Sequence, residues 1–169
     1  MIKADERMIK GLRKAMEIEV NGRNFYTMAA DGAVDPKGKE AFRILADEEL
    51  RHLDFLRTHY RSAMEFGSID TALTLGTRHD FQAGPIFSDE IAGRLKNAQF
   101  EMSALSIGMQ LELSSMDFYK KQASEVSDPY VKRFYEELVK WEKGHYEALS
   151  RQQEMLKEDF WATGGFAPF

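Results

Sequence analysis

Apolar residues return every three or four positions over four long stretches of the chain, the period of an amphipathic helix. From Asp5 to Asp31, Leu12, Ala15, Met16, Tyr26 and Ala30 share one stripe, and Lys10, Arg13, Lys14 and Arg23 fall mostly off it. Gly32 is a fitting stop. Asp35-Pro36 then reads as an N-cap followed by a proline in the first turn, where its missing N–H costs nothing. A second helix is expected from there to about Met64, with Phe42, Leu45, Leu53 and Leu56 inside. Residues 66–84 lose the period, and Pro85 and Ser88-Asp89-Glu90 follow. Such a stretch is too long for a tight turn; it reads as a crossover letting helices two and three run parallel, with a short helix around Ser88 to Asn97. The third long helix is expected from Gln99 to Val126, on a stripe of Leu105, Gly108, Met109, Met116, Tyr119 and Ala123. Asp128-Pro129 repeats the start signal, and a fourth helix runs to about Lys157. The tail from Asp159 to Phe169, with Phe160, Trp161, Phe166 and Phe169, is expected to dock on the bundle or on a second subunit.

The apolar stripes are interrupted by polar residues, and the interruptions repeat. An offset of 93 residues carries Glu19 onto Glu112, Tyr26 onto Tyr119, Asp35-Pro36 onto Asp128-Pro129, Glu49 onto Glu142 and His52 onto His145, without a gap. Met16 with Met109, Phe25 with Phe118 and Leu45 with Leu138 follow the same offset. The expected fold is therefore all-α: a four-helix bundle of two duplicated helical hairpins, in a single domain over residues 1–169. Hairpin one covers about 5–64, the crossover 65–98, hairpin two 99–157 and the aromatic tail 158–169.

A single Glu-x-x-His is a weak motif, since a solvated helix face matches it by chance. Two of them, each with a glutamate 30 residues upstream inside an aligned repeat, point to one buried site. Four buried carboxylates repel one another and are costly to desolvate unpaired. Two divalent cations balance Glu19, Glu49, Glu112 and Glu142 and leave His52 and His145 neutral as ligands. One glutamate from each of two helices, with Glu-x-x-His from each of the other two, is a pattern that holds paired metals in bundles. Oxygen and imidazole ligands suit two iron ions, with manganese or zinc able to occupy the same cage. Tyr26 and Tyr119 have two readings, as groups bonded to ligand carboxylates or as core aromatics with a satisfied hydroxyl. His59 and His79 fit no such pattern and read as surface residues.

Composition narrows the chemistry. The chain has no cysteine among its 169 residues, which removes disulfides, thiolate nucleophiles and cysteine-held iron. A net charge of −5 disfavours a nucleic-acid partner, and no apolar run is long enough to span a bilayer. The charged start Lys3-Ala4-Asp5-Glu6 lacks the apolar core of a signal peptide, so a cytoplasmic location is expected.

With these motifs in place, residues 8 to 157 resemble the ferritin-like superfamily, most closely its rubrerythrin-type di-iron domain. The resemblance implies that Glu49 and Glu142 bridge the metals, that Glu19 and His52 complete one iron, and that Glu112 and His145 complete the other. It implies reduction of H2O2 or O2 with an external electron-donor protein, or alternatively Fe²⁺ oxidation for iron storage or delivery. A bundle whose metal is redox-silent and only structural is the reading from another class. Two departures stand out. Rubrerythrins usually carry a rubredoxin domain with four cysteines, absent from this sequence. Peroxidatic members also place a further glutamate one turn after the helix-three ligand, where this chain has Ser115, and its repeat partner is Gly22. Both are small enough to leave room for water or oxidant beside the metals. A homodimer is the expected assembly.

Overall fold

The computed structural model describes residues 2–76, 86–88 and 99–164. Four long helices dominate the described residues: α1 (Glu6–Gly32), α2 (Pro36–Phe66), α3 (Gln99–Glu125) and α4 (Pro129–Gly164). A short antiparallel pair of strands, β1 (Ile2–Lys3) and β2 (Ser68–Ile69), ties the start of α1 to the end of α2, with Ile2 opposite Ile69. α1 and α3 have 27 residues each, about 40 Å of helix.

Local chemistry explains the boundaries. Asp5, Asp35 and Asp128 each accept a hydrogen bond from a backbone N–H of the following first turn: Met8 at 2.7 Å, Gly38 at 2.8 Å and Tyr130 at 2.8 Å. Gly67 ends α2 at φ +63°, a left-handed conformation that costs glycine nothing. α4 runs beyond the expected stop near Lys157 to Gly164, because no glycine or proline interrupts residues 158–163. The expected docking tail is thus partly helix. Its last five residues, the short helix expected at Ser88–Asn97 beyond its first position, and His79 lie outside the described residues.

Among the described residues, two apolar clusters form the core. One gathers Tyr26, Ala30, Phe42, Leu45, Leu105 and Leu149; the other gathers Leu12, Leu56, Tyr119, Val131, Phe134 and Leu138. The first therefore holds the late part of α1 and α4 with the early part of α2 and α3. Helices α2 and α3 accordingly run parallel, as the long crossover requires. Residues 86–88 of that crossover seal the first cluster. The Ile86 and Phe87 amides donate to Gln152 Oε1 at 2.7 and 3.3 Å, and the Ser88 amide donates to Asp35 Oδ1 at 3.2 Å. Phe87 lies so close to Gly38 that a Cβ there would come within 2.1 Å of its ring. Between the two clusters lies a polar layer.

His59 corrects a sequence expectation. It is fully buried on α2, edge-on to Phe55 and Phe134 at centroid distances of 4.6 and 5.2 Å. It occupies the helical stripe of Leu56 and Ala63, so its position, rather than its polarity, decides its burial. Neither ring nitrogen has a hydrogen-bond partner among the described residues. Burial lowers its pKa, and the partial attraction of Asp70 does not reverse this. The unfolded chain therefore takes up a proton first as pH falls below roughly 6.5, and the fold loses stability over that range. His59→Leu should shrink the acid-side loss: its melting temperature relative to wild type should be higher at pH 5 than at pH 7. A pH-independent difference between the two proteins would contradict this.

Candidate metal centre

The polar layer is built from one turn of each helix. Glu19 of α1, Glu49 and His52 of α2, Glu112 of α3, and Glu142 and His145 of α4 are all at most 3% exposed. The three-residue spacing sets each Glu-x-x-His pair on one face, a turn apart. All six sequence-predicted ligands meet. The two imidazoles stack with centroids 5.7 Å apart. His52 Nδ1 lies 3.2 Å from Glu19, 3.5 Å from Glu49 and 3.3 Å from Glu142. His145 Nδ1 lies 3.4 Å from Glu49, 3.5 Å from Glu112 and 3.3 Å from Glu142. Two sets of candidate ligands result: Glu19, Glu49, His52 and Glu142, and Glu49, Glu112, Glu142 and His145. Within each set, one ligand atom per residue lies within 4.8 Å of all the others, and Glu49 and Glu142 belong to both.

Metal ions suit what the chain leaves unfinished here. Both Glu142 oxygens are buried without a hydrogen bond among the described residues, although an imidazole nitrogen faces each at 3.3 Å. A cation between carboxylate and imidazole would satisfy both. The donor set of oxygens and imidazoles matches iron, manganese or zinc.

The tyrosine hydroxyls reach the carboxylates. Tyr26 donates to Glu112 Oε1 and Tyr119 donates to Glu19 Oε1, each crossing to the opposite hairpin. The 93-residue offset exchanges one contact for the other. Each ring also fills the apolar core beside the site, so the two readings of these tyrosines are compatible.

Burial and mutual repulsion divide the charges. Burial, then the Glu49 charge, pushes the Glu19 carboxyl up to about 8. Burial likewise raises Glu112 well above the usual range. Burial and Glu142 also work to raise Glu49, but hydrogen bonds from Glu19, His145 and His52 outweigh them and hold it low. Burial and the Glu19 charge work to raise Glu142, but the attraction of the two histidines facing it outweighs them and holds it low too. Burial alone would lower both histidines. Glu142 and Glu19 raise His52 instead, and Glu112 does so for His145. Without metal, then, Glu19 and Glu112 favour the protonated form, Glu49 and Glu142 favour the carboxylate, and both imidazoles hold a proton more firmly than usual.

The two small residues of the repeat have different neighbours. A Cβ on Gly22 would lie 3.3 Å from Glu49 Cδ, so the space beside that glycine seats the Glu49 carboxylate itself. Ser115 is buried and turns its hydroxyl to the Leu111 carbonyl at 3.0 Å.

One site residue was missed from sequence. Glu48 is fully buried, and its Oε2 lies 2.6 Å from His145 Nε2. The signal was the acidic doublet Glu48-Glu49, set against Trp141-Glu142 at the equivalent point of the repeat. No helix among the described residues is long and apolar enough to cross a membrane. A family model described as Rubrerythrin matches residues 10–152. No curated protein and no solved structure matches the chain.

Proposed function

The chain belongs to the rubrerythrin family, and on that premise we propose that its centre binds two iron ions and reduces H2O2 or O2 with electrons from an external donor. The observation that carries this reading is the pair of overlapping ligand sets sharing Glu49 and Glu142. Those two carboxylates would bridge, Glu19 with His52 would complete one metal, and Glu112 with His145 the other. Bound iron supplies Lewis acidity and the electrons. The chain supplies the rest. Tyr26 and Tyr119 steady Glu112 and Glu19 through their hydroxyls. The two apolar clusters close the layer from either side and limit access of bulk water.

Purified protein reconstituted with Fe²⁺ should hold about two irons per chain, as the four-helix ligand pattern requires. Stopped-flow absorption should then show rapid oxidation of the reduced protein by H2O2 or O2. A loaded protein that stays reduced with both oxidants would overturn the redox reading and leave a structural metal. Fe²⁺ oxidation for iron handling is the second reading. It is favoured by Ser115, which stands where peroxidatic relatives carry a further carboxylate. Iron accumulating far beyond two per chain during aerobic loading would decide for it.

A further inference from the structure

The repeat that makes the centre symmetric fails at one position in contact with both histidines. Residue 48 in the first hairpin is glutamate; the 93-residue offset places Trp141 at the matching point of the second. Each packs on the histidine of the opposite hairpin. Glu48 is fully buried with Oε2 2.6 Å from His145 Nε2. Trp141 sets its ring edge-to-face on His52, 5.1 Å between centroids at 83°. His52 Nε2 is buried and has no hydrogen-bond partner among the described residues.

We infer that Glu48 is a positioning residue that makes the two metal positions unequal, the one completed by Glu112 and His145 binding its cation more tightly than the one completed by Glu19 and His52. This rests on the two-metal reading above. A carboxylate accepting the outer N–H of an imidazole fixes its tautomer, aims the inner nitrogen and raises its basicity. Here the inner nitrogen is Nδ1, the atom that faces Glu49, Glu112 and Glu142. His52 receives no such support: the Trp141 indole edge orients its ring by packing alone. The centre is thus expected to fill in order, and to empty from the His52 side first.

Co²⁺ is a suitable probe, because its visible absorption reports ligand geometry without turnover. Anaerobic titration of the whole chain against a competing chelator should resolve two binding steps. His52→Ala should remove the weaker step and keep the tighter, which assigns them. Glu48→Ala should weaken the tighter step about 10- to 100-fold and bring the two steps together. Glu48→Gln keeps an acceptor without the charge, preserves the side chain's shape, and should fall between wild type and Glu48→Ala. Should Glu48→Ala fail to fold, the wild-type steps and Glu48→Gln decide. Two equal steps in wild type, or equal weakening of both steps in Glu48→Gln, would overturn the inference and leave the two-metal reading standing. No uptake of Co²⁺ by wild type would remove both.

Discussion

A Glu49→Ala, Glu142→Ala double variant should lose both metal ions and yet remain folded. These two carboxylates are the members common to both ligand sets, so each set falls from four candidate donors to two. Their removal takes the anionic partners from His52 and His145, which then give up their protons, so the metal-free variant should melt lower than wild type while keeping its helices. The expected pattern is therefore a separation of effects. Iron content should fall to background, whereas the circular dichroism spectrum should stay helical. Excess Fe²⁺ under anaerobic conditions should raise the melting point of wild type, by the equivalent of about 2.7 kcal/mol for each site at a hundredfold excess over its Kd. The variant should show no such rise. Retention of two irons by the variant would refute the ligand assignment.

Loading the centre should release about four protons per chain near neutral pH. Glu19 and Glu112 hold theirs because burial raises both, and His52 and His145 hold theirs because the carboxylates facing them outweigh burial. Binding two divalent ions requires four carboxylates and two neutral imidazoles, so these four protons leave as four positive charges enter. The exchange leaves the net charge of the centre unchanged. Overall affinity for the pair should then fall steeply with acid, by up to about 10⁴ per pH unit while all four protons compete. Calorimetry in buffers of different ionisation enthalpy measures the number released. A release near zero would show that the metal-free centre is already stripped of protons.

The stability signs follow. A group whose pKa is raised by folding, such as Glu19 from 4.5 to about 8, stabilises the fold most at low pH. As pH climbs through that window, the unfolded chain deprotonates first and the metal-free fold weakens. The metal-loaded fold gains over the same range, because its ligands are freed for the cation. Melting temperatures with and without metal should diverge as pH rises. The His59 effect runs the other way and is separated by comparison with His59→Leu.

Much of the site was legible because helical periodicity is rigid. Glu19, Glu49 and Glu112 lie on stripes otherwise occupied by Leu12, Leu45, Leu105 and their like, and a helix cannot turn such a residue outward without exposing its apolar neighbours. The caps at Asp35 and Asp128 were legible for a similar reason: their chemistry is local, completed within three residues. His59 was misjudged because its burial depends on Phe134, 75 residues away in the chain, and on the packing of α2 against α4. The extension of α4 to Gly164 was missed because aromatic residues suggested a docking segment where nothing breaks the helix.

From the sequence alone come four helices, their starts, the internal duplication and the six residues able to share a metal centre, since each depends on spacing within one helix or on identity across the repeat. Contacts between helices needed the fold. Only there does Tyr26 meet Glu112 and Tyr119 meet Glu19, and only there does Glu48 rather than Trp141 face a histidine's outer nitrogen. The physical reason is one of range. Period and capping act over a few residues, while the partner of a side chain on the far face of a helix is set by which helix is laid against it.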